Sequence, residues 1–261
     1  MKKIQKELVS IITPMYNSEK YILETYNSIK NQTYTKWEWI IIDDNSSDNS
    51  YKKILNLSKS DTRIKIIQNL QNLKAAKTRN KGLNIATGEY ITFIDSDDLW
   101  KDNFLERQLK LIKEKKCNVV YASYQKKNED LTEVLGEYIV PKRVNYKELL
   151  KTNYMSCLTV LYKTEEFKQL RFNENLKMHE DYVMWLELLK ENIAYANQDI
   201  LATYRIRKGS VSRNKLKNLL YMYFIFRKII NLSMVDTFFY LGNYIYYGLK
   251  KNKKIVMKYW K

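Results

Sequence analysis

Asp95, Ser96, Asp97 and Asp98 follow directly on the apolar run Tyr90 to Ile94, which puts three carboxylates where a buried strand surfaces. Like charges this close repel, and partial burial raises the cost, so the arrangement favours a bound cation or a hydrogen-bonding ligand that offsets it. In an extended segment residues two apart project to the same side, which aims Asp95 and Asp97 at a common point. Hard oxygen ligands suit Mg2+ or Mn2+, ions that take one or two carboxylates and complete their shell with water and phosphate oxygens. The chemistry implied is a divalent metal holding a diphosphate. An isolated pair of this kind is more often a turn capping the helix that starts near Asn103, so the reading depends on what else converges there.

A second group of acids stands at Glu180 and Asp181, after His179 and before Tyr182, Trp185, Leu186 and Leu189, whose spacing is that of an amphipathic helix. Acids in a first helical turn complement the helix dipole, which is reason enough for them to be there. If that turn faces the Asp95 rim, Asp181 becomes a candidate general base for an incoming hydroxyl, with Tyr182 and Trp185 supplying an apolar wall that raises its pKa. His179 is the chain's only histidine, which excludes a multi-histidine zinc centre; a solvated or capping role suits it better than ligation.

Positioning these groups requires alternating strands and helices. Leu8–Thr13, Trp37–Ile42, Ile64–Ile67, Tyr90–Ile94 and Val119–Tyr124 read as strands, and Glu19–Asn31, Asn49–Leu57, Ala76–Ala86 and Asn103–Lys116 as helices between them. A mostly parallel sheet with helices on both faces follows. Ligands of such sheets bind beyond the carboxyl ends of the strands. There the sequence places Pro14, Tyr16 and Asn17, then Asp43 and Asp44, then Asn72, Arg79 and Asn80, then the Asp95 cluster. Glycine-rich phosphate loops are absent from a chain with only six glycines, which disfavours dinucleotide dehydrogenases and P-loop enzymes.

The 261 residues, 45% hydrophobic, suffice for one large core plus a small appendage. Cys117 and Cys157, forty positions apart, suggest small core residues rather than a disulfide or a zinc knuckle. The charged stretch Met1 to Glu7 has no signal-peptide character, and the uncharged stretch Thr237–Leu249 is too short to span a bilayer, so the expected address is the cytoplasm, peripheral on the inner face of the plasma membrane. Much of the +17 net charge falls in the last fifth: residues 213–261 carry eleven Lys or Arg against one acid, Asp236, together with twelve aromatics. That composition fits an anionic membrane surface, where each basic group contributes about 1 kcal/mol. The competing explanation is that the rings pack the last helices onto the domain. Nucleic acid is the weaker partner, because its base-stacking aromatics belong on the body rather than in a tail.

In combination and order, several segments resemble the family 2 glycosyltransferases, inverting nucleotide-sugar enzymes with the GT-A fold. They are residues 9–17 (Val9 to Asn17), Gln32-Thr33, Trp39 to Asp48, Thr78 to Gly82, Ala86 to Ile91, the Asp95 cluster and Glu180-Asp181. The resemblance implies a GT-A catalytic domain over residues 1–212, with a nucleotide-binding half at 1–100 and an acceptor-binding half at 101–212, followed by a helical tail at 213–261. It implies that Pro14, Tyr16 and Asp44 hold uracil and ribose with support from Asp43, and that Arg79, Asp95 and Ser96 border the nucleotide sugar. Asp97, with Asp95 as a second candidate, would ligate Mn2+ or Mg2+, and Asp181 would be the base with Glu180 beside it. The donor would be a UDP-sugar and the acceptor a glycan or lipid-linked saccharide. Two departures stand out: Lys74 occupies a position that is commonly glycine, and Arg207 one that is often histidine. The alternatives are a catalytically silent GT-A scaffold that binds lipid or protein, and a retaining transferase or nucleotidyltransferase, against which the Glu180-Asp181 helix argues.

Overall fold

In a computed structural model of the chain, which describes residues 4–207 and 215–258, strands and helices alternate as β1 (Gln5–Met15), α1 (Ile22–Lys30), β2 (Trp37–Asp43), α2 (Ser50–Ser58), β3 (Ile64–Gln68), α3 (Lys74–Ile85) and β4 (Gly88–Phe93). Then come β5 (Leu99–Trp100), α4 (Phe104–Glu114), β6 (Val119–Lys127), β7 (Val134–Tyr138), β8 (Arg143–Val144), α5 (Tyr146–Lys151), β9 (Leu161–Lys163), α6 (Glu180–Leu188) and β10 (Ala194–Arg205). All strands belong to one sheet of order β3-β2-β1-β4-β9-β6-β10-β5, with β7 pairing β6 and β8 pairing β10. β1 pairs in parallel with both β2 and β4, and β6 with β10; β9 is inserted antiparallel between β4 and β6. The sheet is thus mixed but mostly parallel.

Side-chain alternation explains why both faces are covered. Val9, Ile11, Trp39 and Ile41 enter a core under α1, α2 and α4, while Ile12, Ile40 and Ile42 enter a second core with α3, α5 and α6. Helix α3 lies close on β1 because Gly82 has no side chain: a Cβ there would come within 2.5 Å of Ile12 Cγ2. After β3 the chain crosses to the other side of β1 to form β4. The carboxyl ends of β1 and β4 therefore flank a point where strand order reverses, the place where open α/β sheets bind ligands.

The five strands and four helices expected between Leu8 and Tyr124 are all present. Strands β5, β7, β8, β9 and β10 are not visible in the pattern. Three of them have only two or three residues, and β10 loses its alternation where its pairing with β6 shifts register around Asn197–Ala202.

The tail continues the second core. α7 (Lys215–Phe224) runs through a π-helical turn at Ile225–Ile229 and leads to α8 (Met234–Lys258). Met222, Ile225, Phe226 and Leu241 are buried with Trp185, and Tyr221, Tyr240 and Tyr244 pack against them. Among the described residues Tyr221, Phe226, Tyr240 and Tyr244 thus hold the tail to the body, so packing accounts for part of the tail's aromatic content. Val235, Phe238, Phe239 and Tyr246 are exposed on the other side. Lys208 to Ser212, the 212/213 boundary, Tyr259 and Trp260 lie outside the described residues. No helix among the described residues is long and apolar enough to cross a membrane.

Candidate active site

The ends of β1 and β2 are tied together where the Asp44 N–H donates to the Met15 carbonyl at 2.7 Å. Asp44 is buried, and its carboxylate accepts from the N–H groups of Leu73 and Lys74 at 2.8 and 2.9 Å and from Asn69 Nδ2 at 2.8 Å. It thereby fixes the loop that starts α3. Beyond β4, Asp95 to Asp98 is a turn closed by the Asp98 N–H on the Asp95 carbonyl at 3.1 Å. The extended geometry expected for Asp95 and Asp97 is therefore replaced by a turn, which still aims both acids at one place. Neither acid caps α4, whose N-cap position is Asn103.

That place is a hollow of about 280 Å3 lined by Pro14, Tyr16, Asp44, Lys74, Arg79, Asp95, Ser96, Asp97 and Arg207, with Met15, Asn72 and Ala75 completing the wall. Seven of the expected residues thus share one cavity. Asp43 does not line it. Fully buried behind it, Asp43 accepts from the Ser46 N–H and from Gln68 Nε2, and its Oδ1 has no partner among the described residues.

Arg79 joins this hollow to the second acid pair. Its guanidinium, 6% exposed, donates to Asp95 Oδ1 at 2.7 Å and to Glu180 Oε1 at 2.9 Å, the forked geometry that arginine alone provides. Glu180 and Asp181 open α6 as expected, with the Tyr182 N–H on Asp181 Oδ1 at 2.7 Å. Burial pushes the Asp181 carboxyl up to about 7; the neighbouring Glu180 adds to the rise and Arg79 opposes it. An acid poised there can accept a proton near neutral pH. Burial likewise pushes Asp97 up to about 6, with Arg207 pulling down and Asp95 pushing up.

His179 corrects the capping or solvated role expected of it. It occupies the N-cap position of α6 in the left-handed region (φ 59°) without making a capping bond, and its Nε2 is buried with no hydrogen-bond partner among the described residues. Cys117 is a free, buried thiol, and Cys157, also free, is partly buried near Arg79.

A model of "Glycosyl transferase family 2" matches residues 10–173. The chain belongs to this family. Over 94% of its length it is 36% identical to an Escherichia coli protein, WfgD, named a UDP-Glc:alpha-D-GlcNAc-diphosphoundecaprenol beta-1,3-glucosyltransferase, 95% of which is covered. Its fold matches S. aureus TarS 1-349 solved with UDP-GlcNAc, at a TM-score of 0.72 and 24% identity, over 91% of this chain and 71% of that one. The mannosyltransferase PcManGT of Pyrobaculum calidifontis, solved with GDP-Man and Mn2+, matches at 0.67 and 20% identity over 86% and 64%.

Within this family 2 glycosyltransferase fold, the two departures acquire a geometry. Lys74 has φ 70°, a left-handed conformation that glycine adopts freely and other residues at a cost. Arg207 places its Nε 2.7 Å from Asp97 Oδ2, so a cation already faces the acid cluster from the histidine position.

Arg205 is the residue that sequence reasoning passed over. Buried, it donates its backbone N–H to Asp98 Oδ1 at 2.9 Å and its Nε to the Asp97 carbonyl at 2.8 Å, and its two terminal nitrogens reach the Glu129 carbonyl at 2.6 Å and Glu24 Oε2 at 2.5 Å. It locks the acid turn to α1 and to the end of β10. Its only signal in the sequence was its place two residues before Arg207. Ser18, bonded to Ser96 at 2.6 Å between hydroxyls, braces the same turn from β1's side.

The residues fit a divalent ion of the kind expected. Asp95 and Asp97 share one hollow at the strand ends, and the Asp97 carboxyl is raised partly by the Asp95 charge, a repulsion that a cation relieves. Among the described residues no third His, Cys or acid closes a metal cage around them, which is the open arrangement that Mg2+ or Mn2+ shares with phosphate oxygens.

Proposed function

We propose that this glycosyltransferase moves a hexosyl or N-acetylhexosaminyl residue from a UDP-sugar to a hydroxyl of a glycan or lipid-linked saccharide, with inversion, in the synthesis of a cell-surface polysaccharide. The observation that carries this reading is the ion-pair chain Asp95–Arg79–Glu180, which sets the base helix against the nucleotide hollow. WfgD supports the substrate classes through its own donor and acceptor.

In this reading residues 1–100, which line the hollow together with Arg207, are the nucleotide-binding half, and residues 101–212 supply the acceptor side. Pro14, Tyr16 and Asp44 receive uracil and ribose, Asp43 holds the loop behind them, and Asp95 and Ser96 border the sugar. Asp97, with Asp95, would hold Mn2+ or Mg2+, which when bound neutralises charge on the diphosphate. Lys74 and Arg207 add positive charge at the rim of the same hollow. Asp181 takes the proton of the acceptor hydroxyl as its oxygen attacks the anomeric carbon from the face opposite the diphosphate. The bond from that carbon to the diphosphate oxygen breaks, and UDP leaves with the electron pair. Glu180 and Arg79 orient the base. The enzyme works at the cytoplasmic face of the membrane, held by basic residues and by the exposed apolar side of α7 and α8.

A panel of UDP-sugars with Mn2+ or Mg2+, scored for UDP release with and without lipid-linked saccharides, tests the reading. Acceptor-stimulated release with one donor is the expected result; none with any UDP-sugar rejects it.

A further inference from the structure

On the other side of α6, the structure holds a second and larger cavity, of about 600 Å3, walled by Tyr182, Leu216, Leu219, Met222, Tyr244, Ile245 and Leu249, with His179, Thr152 and Asn153 at its polar edge. Nothing in the donor reading uses it. Its size is that of a ligand site, and its walls are mostly apolar, with Asn218 as a further polar member.

Three observations give it an occupant. First, His179 and Tyr182, which line the cavity, flank Glu180 and Asp181 in sequence, while Glu180 is ion-paired to Arg79 of the polar hollow. The start of α6 therefore reaches both the polar hollow and this apolar one. Second, the cavity opens onto lipid-compatible surface: Leu216, Ile245 and Leu249 are 67%, 46% and 58% exposed, and the apolar surface continues to Leu220 and Tyr246. Third, Gly248 leaves room that a side chain would fill, since a Cβ built on it meets nothing within 4 Å.

We infer that this cavity takes the hydrocarbon chain of a lipid-linked acceptor, so that the acceptor's sugar is held at Asp181 by its own lipid. The inference rests on the lipid-linked branch of the proposed function and names the part of the protein that would recognise it. A chain buried here would raise acceptor affinity by taking its methylenes out of water, without touching donor binding.

The test separates the pocket from the reaction. Binding of geranylgeranyl diphosphate to the full chain is measured by calorimetry for the parent, for Gly248→Trp, which fills the cavity, and for Leu216→Glu, which places a charge at its mouth. UDP binding is measured alongside as a check on folding. The expected result is binding by the parent, with at least tenfold loss in both variants and unchanged UDP affinity. A parent that does not bind, or variants that bind as the parent does, overturns the inference. So does a parent that is dimeric in solution and becomes monomeric with Leu216→Glu while prenyl binding is unaffected, since the surface would then belong to a second copy. In the transfer assay, the same variants are expected to raise KM at least tenfold for a saccharide on a prenyl diphosphate and to leave KM for its water-soluble methyl glycoside unchanged. Failure of every acceptor would count against the proposed function while leaving the calorimetric result to decide the pocket.

Discussion

Two hollows meet at the start of α6, and they are built in opposite ways. The smaller one is lined by strand ends, the loops after them and α3, and its arginines are ion-paired to its acids: Arg79 to Asp95 and Arg207 to Asp97, each within 3 Å. The larger one is lined mainly by α7 and α8, with Tyr182 of α6 and the residues just after α5, and His179, the one histidine, stands at its edge with its Nε2 unpartnered among the described residues. The contrast teaches that the polar hollow is held by preformed charge geometry, which tolerates little change, whereas the apolar wall is held by packing, which tolerates more. Asp181 opens the helix that reaches both, and substitutions there should separate binding from chemistry.

The largest effect is expected at that junction. Asp181→Asn should lower kcat by about 10²- to 10⁴-fold, the usual contribution of a positioned base, while UDP binding is retained; turnover equal to the parent would remove Asp181 from the chemistry. On the polar side, Asp97→Ala should weaken Mn2+-dependent UDP binding by about tenfold or more, that is about 1.4 kcal/mol, and calorimetry with and without the ion checks it. If the ion makes no difference to the parent, Asp97 is there to hold Arg207 instead.

On the apolar side, deleting the tail is a poor test, because Met222, Ile225 and Phe226 are part of the core. Val235→Glu with Phe238→Glu alters only exposed positions, 80% and 61% accessible. Co-sedimentation with anionic vesicles should fall by about fivefold or more, given roughly 1 kcal/mol for each unfavourable charge at the lipid surface; undiminished sedimentation would leave the tail a packing element only.

Stability gives a finer probe of the junction. The Asp181 carboxyl sits at about 7 in the folded protein against an ordinary 3.8, so the native state holds the proton more tightly than the unfolded chain does. Its contribution is fully present below about pH 4 and is lost as pH rises through about 7. Asp181→Asn should therefore melt higher than the parent at about pH 8, with the gap closing towards about pH 4; a gap that does not change with pH would place the strain elsewhere. The smallest effect is expected at Lys74→Gly, which relieves a left-handed residue and should stabilise the fold by about 1 kcal/mol or less in urea titration. A rise in KM for the donor in the same variant would show that the lost ammonium had met the diphosphate.

Legibility in the sequence followed the same division. The residues of the polar hollow were readable because each group lies within a few positions of a strand end: Pro14 and Tyr16 at the end of β1, Asp44 after β2, Asp95 to Asp97 after β4. Arg205 was not readable, since it works through backbone atoms of Asp97, Asp98 and Glu129 that no pattern announces. Nor was the insertion of β9 between β4 and β6, because a three-residue strand carries no period. The tail was readable as aromatic and basic, yet its composition did not say which rings turn inward.

What the sequence alone determined is the order of strands and helices as far as Tyr124 and the polar rim at their ends, because alternation and local spacing act over a few residues. What only the tertiary structure decided is that Arg79 bridges Asp95 to Glu180, that burial raises the Asp181 carboxyl, and that α6, α7 and α8 leave an apolar cavity beside it. Those depend on which distant surfaces exclude water from each other, and burial of that kind is a property of the packed chain, not of any stretch of it.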